Sequence, residues 1–292
     1  MIKEVEGVYQ SSAAHMVGDG FRVINYFPNG NKFGKKISPF ILLDYHPSYY
    51  YPPTTNKRGV GVHPHRGFET VTLAFDGYVA HHDSGGNSGV IGPGDVQWMT
   101  AASGILHKEY HEEKFATKGG SMQMLQLWVN LPKAVKMSPP KYQAISQQQI
   151  AKINLPENAG QVWVIAGSFD GIKGPASTFT PINMYRVVLN KGGKVLLNLP
   201  QQHNTGILVT AGALEVNQSQ QAKENDFVLF GHEGEKITVI ATENSEFVVL
   251  DGEPINETVV QYGPFVMNTP AEINQAIEDV NNGKFGYLDD ED

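Results

Sequence analysis

Cysteine is absent from the 292-residue chain. Disulfides, thiolate metal sites and cysteine nucleophiles are therefore excluded, and a reducing compartment is a natural setting. Basic residues are the second shortage. The 22 Lys and Arg stand against 30 Asp and Glu, a formal net charge of −8. A nucleic-acid-binding face needs clustered positive charge to neutralise phosphates, and here the basic residues are scattered. Neither direct nucleic-acid binding nor a polybasic membrane patch is expected. Long apolar runs are missing too. The N-terminal MIKEVEGVYQ is charged where a secretory signal would be apolar. No stretch approaches the roughly 20 residues of a membrane span, so the expected location is the cytoplasm.

What the chain has in quantity is turns. Glycine occurs 31 times and proline 17 times, between short apolar runs such as FRVINYF, FILLDY, ETVTLAF and MLQLWVN. Many turns and short β-rich runs with little helical period imply an all-β architecture. A polar KAVKMSPPKYQ stretch with paired prolines marks a boundary near residues 133 to 142. Beyond it QVWVIAG, NMYRVVL, TGILVTAGALEVN and DFVLFG repeat the style. The order of strand, glycine turn, strand, acidic turn and strand recurs in both halves. The expectation is two similar β-barrels in tandem, residues 1–135 and 136–292. The second carries a short helix over TPAEINQAIEDVNNG, with Thr269 as cap, Pro270 at the first helical position and Glu272 completing a capping box. Ile273, Ala276, Ile277 and Val280 share one face of it. The acidic tail LDDED is expected to be frayed.

Ten histidines are present, and their grouping carries the chemistry. His63 and His65, in HPHRGFETVT, are i and i+2, so on a strand they point to one face. Alone the pair is a weak signal. His107 and Glu109, in GILHKEY, have the same spacing. Two strands of one barrel, each giving two inward groups, can assemble three imidazoles and one carboxylate. Such a set suits iron, manganese, copper, nickel or zinc and leaves positions open for water, dioxygen or substrate. Glu69 lies four after His65 and by strand parity shares its face, so parity does not choose between Glu69 and Glu109.

HPHRGFETVT, GPGDVQWMTAASGILHKE, LQLWVNLP, KMSPPKYQ and the late DGEPINETVVQYGPFVMNT together resemble the pirin family of the cupin superfamily. The likeness runs from about Phe21 to Gly286. It implies two cupin (double-stranded β-helix) barrels, with one metal in the N-terminal barrel; the second half has no HxH pair, so the second barrel is expected to be metal-free. It also implies the ligand set His63, His65, His107 and Glu109, which decides against Glu69. Iron is the metal the resemblance implies, with copper, manganese, nickel or zinc as other divalent occupants.

The lone His203 and His232 are read as single structural or surface histidines. His81 and Asp83 fit the family's A-H-x-D pattern, near the pocket mouth or a ligand, and His82 is read as solvated. Arg66 and Lys108 neighbour the ligands with opposite parity and should face away, in surface or inter-domain ion pairs. Of Gln97 and Trp98, one should face the pocket. PSYYYPP (47–53) is a packed loop or a hydrophobic lid.

Pirin resemblance implies oxidative cleavage of a flavonol such as quercetin with O2 and release of carbon monoxide, with Glu109 doubling as base. The substrate is then a small aromatic molecule. A non-enzymatic metal-binding regulator working through protein partners is the alternative reading. A sugar-phosphate isomerase is disfavoured because no Lys/Arg cluster accompanies the metal motif.

Overall fold

The computed structural model describes residues 1–10, 13–28 and 33–290. The chain forms two compact units, and both are discontinuous. One comprises Ala13–Phe27, Phe40–Gln147 and Ile255–Asp292, the other Met1–Ser12, Pro28–Pro39 and Gln148–Pro254. Both are cupin domains in which strands far outweigh helix.

The first unit holds the histidine motifs. Its strands begin with β1 (His15–Val17), β2 (Phe21–Phe27), β3 (Phe40–Tyr51), β4 (Gly59–His65), β5 (Phe68–Asp76), β6 (Val79–Asp83) and β7 (Ser88–Ile91). Then come β8 (Val96–Thr100), β9 (Ile105–His111), the short helix α1 (Glu113–Lys118), β10 (Gly120–Asn130) and β11 (Lys141–Ile145). The C-terminal segment adds β12 (Val260–Tyr262), β13 (Phe265–Met267) and α2 (Pro270–Asn281). Seven strands form one sheet in the order β11-β8-β5-β10-β3-β2-β1, and four form another in the order β4-β9-β6-β7.

The passage from β4 to β5 carries the chain from the small sheet to the large one. It is made at Gly67, whose φ of +90° is open to glycine and strained for other residues. A Cβ there would lie 2.0 Å from the Val266 carbonyl oxygen. The amide of Gly67 donates to Ala102 O at 2.8 Å, and its carbonyl accepts from Lys136 Nζ at 2.6 Å. Lys136 is fully buried and also donates to Asn130 Oδ1 (2.6 Å) and Val266 O (2.8 Å). Burial pushes its ammonium down to about 7.

This break corrects the parity argument for Glu69. Parity holds within one strand, and His65 and Glu69 lie on different strands of different sheets. Glu69 is the cross-strand partner of Thr100, whose hydroxyl donates to Glu69 Oε1 at 2.7 Å.

The second unit repeats the plan, with a seven-stranded sheet and a four-stranded sheet around a hydrophobic core that includes Val187, Ile207, Phe247 and Val249. The units do not part at residue 135. Val5–Gln10 pairs with Asp226–Phe230 in the second unit, while β11 pairs with β8 in the first. The N-terminal strand completes a sheet edge of the second unit, which removes unpaired backbone groups there, while the C-terminal strands pair with each other as a small sheet of the first.

Helix α2 starts on the expected capping box, with both reciprocal hydrogen bonds of Thr269 and Glu272 present. It packs Ile273 and Ala276 against Phe265, Met267 and Phe285, and so belongs to the first unit. Arg66 does face away from the histidines, and it is buried within that unit. It pairs with Asp279 of α2 at 2.8 Å, donates to Ser103 O at 2.7 Å and lies over the Phe285 ring. Lys108, also buried, donates to the Asp289 carbonyl, and Tyr110 donates to Asp290 Oδ1 at 2.6 Å. The tail is therefore tied to β9 as far as Asp290. Residues 291 and 292 lie outside the described residues.

Glu69 is 1% exposed, and burial pushes its carboxyl up to about 7. An unfolded glutamate ionises near pH 4.3, so between roughly pH 4.3 and 7 the unfolded chain binds fewer protons and stability falls as pH rises. Glu69→Gln removes this slope. The expected outcome is a variant more stable than the parent at pH 8, by about 4 kcal/mol at most, and level with it or less stable at pH 4. Thermal melts across that range check it.

Candidate metal centre

Strands β4 and β9 are antiparallel neighbours in the small sheet, with His107 directly opposite His63. A register shift follows, so that Glu109 faces Val60. On the other side of β9, His81 of β6 stands opposite Glu109 and Asp83 opposite His107. The result is a cluster of imidazoles. Ring centroids are 4.8 Å apart for His63 and His65, 4.2 Å for His63 and His107, and 4.7 Å for His65 and His107. His81 lies 5.5 Å from His107 by the same measure.

Two overlapping sets of ligand atoms each lie within 4.8 Å of one another. One comprises His63, His65 and His107, the other His81, His107 and Glu109. His107 belongs to both. Glu109 thus falls with His81 and His107 at this spacing, while it shares a cavity wall with His63 and His65.

The electrostatics favour neutral rings. His65 and His107 are 3% and 0% exposed. Burial, reinforced by the neighbouring His63 ring, holds both far below the usual imidazole range. A neutral imidazole offers a lone pair. His63 Nδ1 donates to Gly61 O at 2.8 Å, which leaves Nε2 as its free lone pair. Among the described residues, Nδ1 of His65, Nδ1 of His81 and both ring nitrogens of His107 are buried without a hydrogen-bond partner. Burying such groups unpaired costs free energy. Three neutral imidazoles and a carboxylate are also the donor set for a divalent transition metal, so the residues fit one.

Surrounding side chains steady the cluster. Gln126 Nε2 donates to Glu109 Oε2 at 2.9 Å. Asp83 takes hydrogen bonds from Gly85 N, Asn87 N and the Asn87 amide, and its Oδ2 lies 3.3 Å from His81 Nε2. His81 also stacks on Tyr142, with ring planes 10° apart.

The cluster opens into a cavity of about 320 Å³. Its apolar wall is Val17, Phe21, Val23, Val60, Met124 and Trp128, and its polar wall adds Asp44 and Gln126. Larger hollows of about 600 and 500 Å³ lie in the second unit around Lys194 and in the first around Phe115, and neither is lined by a histidine. The small cavity is therefore the chemically equipped one.

Sequence reasoning missed Asp44, Met124, Gln126 and Trp128. The period-2 spacing of 124, 126 and 128 in MLQLWVN was the available signal. Tyr49 and Tyr50 are exposed at the end of β3. Tyr51 turns inward and donates to His46 Nε2 at 2.9 Å, and none of the three lines the cavity. In the second unit His203 Nδ1 donates to Asp251 Oδ2 at 2.8 Å, while His232 is exposed. No helix among the described residues is long and apolar enough to cross a membrane.

The pirin family profile matches residues 20–129, and that of the pirin C-terminal cupin domain matches residues 184–286. The chain belongs to the pirin family. It is 47% identical over 284 residues to a Pseudomonas aeruginosa protein that bears quercetin 2,3-dioxygenase as a provisional name, covering 97% of this chain and 99% of the relative. The crystal structure of quercetin 2,3-dioxygenase from Acinetobacter baumannii superposes with a TM-score of 0.95 at 48% identity, over 99% of this pirin and 100% of that chain. A bacterial pirin of Escherichia coli, solved in complex with nickel(II), shares the fold at 22% identity and a TM-score of 0.63, over 85% and 100% of the two chains.

Proposed function

We propose that this pirin is a metal-dependent dioxygenase that cleaves the central ring of a flavonol such as quercetin with O2. The observation that carries the reading is the buried, unpaired imidazole cluster opening into an apolar cavity beside Glu109. Kinship with quercetin 2,3-dioxygenases supports it. His63, His65, His107 and Glu109 hold one divalent metal. Iron is the expected occupant, with copper, manganese, nickel or zinc as substitutes; nickel is the ion in the Escherichia coli pirin complex.

A bound divalent transition metal supplies the positive charge that favours an ionised flavonol hydroxyl and a centre at which dioxygen chemistry can occur. The protein does the rest. The flavonol's flat rings lie against Phe21, Val23, Met124 and Trp128, which exclude water. The proton of its 3-hydroxyl passes to the Glu109 carboxylate. Gln126 steadies Glu109 Oε2 during that transfer. Because β4 and β9 are paired strands of one sheet, the ligand side chains are pre-positioned and need little rearrangement.

Purified protein is expected to bind one metal per chain and to bleach flavonol absorbance under air and not under argon. His107→Ala and Glu109→Gln should abolish the bleaching, and His63→Ala should lose stoichiometric metal. A stoichiometric metal site with no turnover of any flavonol would exclude the dioxygenase reading and leave the metal-binding regulator. Full metal content in His63→Ala would refute the ligand set. Gln126→Met removes the donor to Glu109 at similar volume. It is expected to lower metal affinity roughly 10- to 100-fold in a chelator competition, with the melting temperature nearly unchanged.

A further inference from the structure

The cavity has a second polar element, on the large sheet. Strand register sets Asn25 of β2 opposite Asp44 of β3, and Asp44 opposite Gln126 of β10. Gln126 in turn faces Thr72 of β5, and Thr72 faces Gln97 of β8. Directly opposed residues of antiparallel strands share a face. Five adjacent strands therefore carry one polar rung, Asn25–Asp44–Gln126–Thr72–Gln97, across the inner face of the large sheet. Gln126 is committed to Glu109. Gln97, 1% exposed, has neither amide atom paired among the described residues. Asp44 accepts from Asn25 Nδ2 through Oδ1 at 2.7 Å and lines the cavity. Its own strand neighbours Leu43 and Tyr45 point to the opposite face.

A carboxyl on an apolar cavity wall is costly unless something bonds it. Burial already raises its proton affinity. Asn25 fixes the group by one oxygen. Asp44 stands one strand spacing, about 4.8 Å, beyond Gln126 toward the β2–β1 edge of the sheet, and lines the same cavity as His63 and His65. A molecule that reaches the histidines with one oxygen and lies across Gln126 therefore brings its far ring to Asp44.

We propose that Asp44, oriented by Asn25, is a specificity-determining residue that binds a hydroxyl on the distal ring of the aromatic ligand. This rests on the reading of the cavity as an aromatic-substrate site and refines it to polyhydroxylated aromatics. The hydroxyl donates to the carboxylate, a charge-assisted bond that a ligand lacking that hydroxyl forfeits.

The test is ligand binding to metal-loaded protein under argon, followed by quenching of tryptophan fluorescence, since Trp128 lines the cavity. Two flavonols are compared, quercetin and the analogue that keeps only the 3-hydroxyl. The parent protein is expected to prefer quercetin roughly 10- to 100-fold. Asp44→Leu should bring the two affinities together, mainly by weakening quercetin. Asn25→Ala keeps the carboxylate and loses its orientation, so the preference should shrink by a smaller factor. It is the fallback if Asp44→Leu does not fold. An undiminished preference in both variants overturns the role of Asp44 and leaves the dioxygenase reading intact. Failure of the parent protein to bind either flavonol overturns both.

Discussion

The site depends on one backbone break, at Gly67. The HPH strand belongs to the small sheet, and the FETVT strand that follows belongs to the large one. The turn between them must be tight enough to leave His65 against Phe68, with ring centroids 5.0 Å apart. Only a residue without a Cβ passes under the Val266 carbonyl there. Lys136 then holds three oxygens from separate parts of the chain, on Gly67, Asn130 and Val266. Arg66 draws α2 to the same turn through Asp279. A buried lysine with three close acceptors resists displacement, because moving it strands either the ammonium or the carbonyls. Without this anchor the two sheets would lose their fixed relation where the imidazoles and the apolar cavity wall meet.

Native interiors pair their polar groups, so unpaired ones are informative in proportion to how tightly they gather. Four of the buried unpaired atoms are imidazole nitrogens of His65, His81 and His107, in a cluster whose rings approach within 6 Å of a neighbour. Hydrophobic replacement would stabilise the fold more than such a group does. Neutral, buried, mutually adjacent imidazoles make sense as ligands, since a cation satisfies all their lone pairs at once.

Strand parity made much of this legible from the chain. It put His63 with His65 and His107 with Glu109 because each pair lies inside one strand. It failed for Glu69 because Gly67 intervenes and the sheets change. Nothing in the spacing of HPH warns of that, although glycine after two strand residues was a possible mark of a break. The capping box of α2 was equally plain, since its signal spans four consecutive residues. The unit to which the helix belongs was not, because that is decided by contacts such as that of Asp279 with Arg66, some two hundred positions away. The polar rung through Asp44 is a cross-strand object. It exists only once the register of five strands is known.

The second unit offers an internal comparison. There too the strands bring a polar rung together: Asn183 and Thr205 both lie opposite Asp251. Asn183 and Thr205 donate to the two oxygens of that carboxylate at 2.7 and 2.8 Å, and His203 adds a third hydrogen bond. Every partner is protein, so the rung is closed. In the first unit Asp44 has Asn25 on one oxygen and an open cavity beside it, and Gln126 reaches across to Glu109 instead. The two interiors use the same sheet plan and similar residue types. They differ in whether the polar groups satisfy one another or face an open cavity, and that difference separates a closed core from a candidate site.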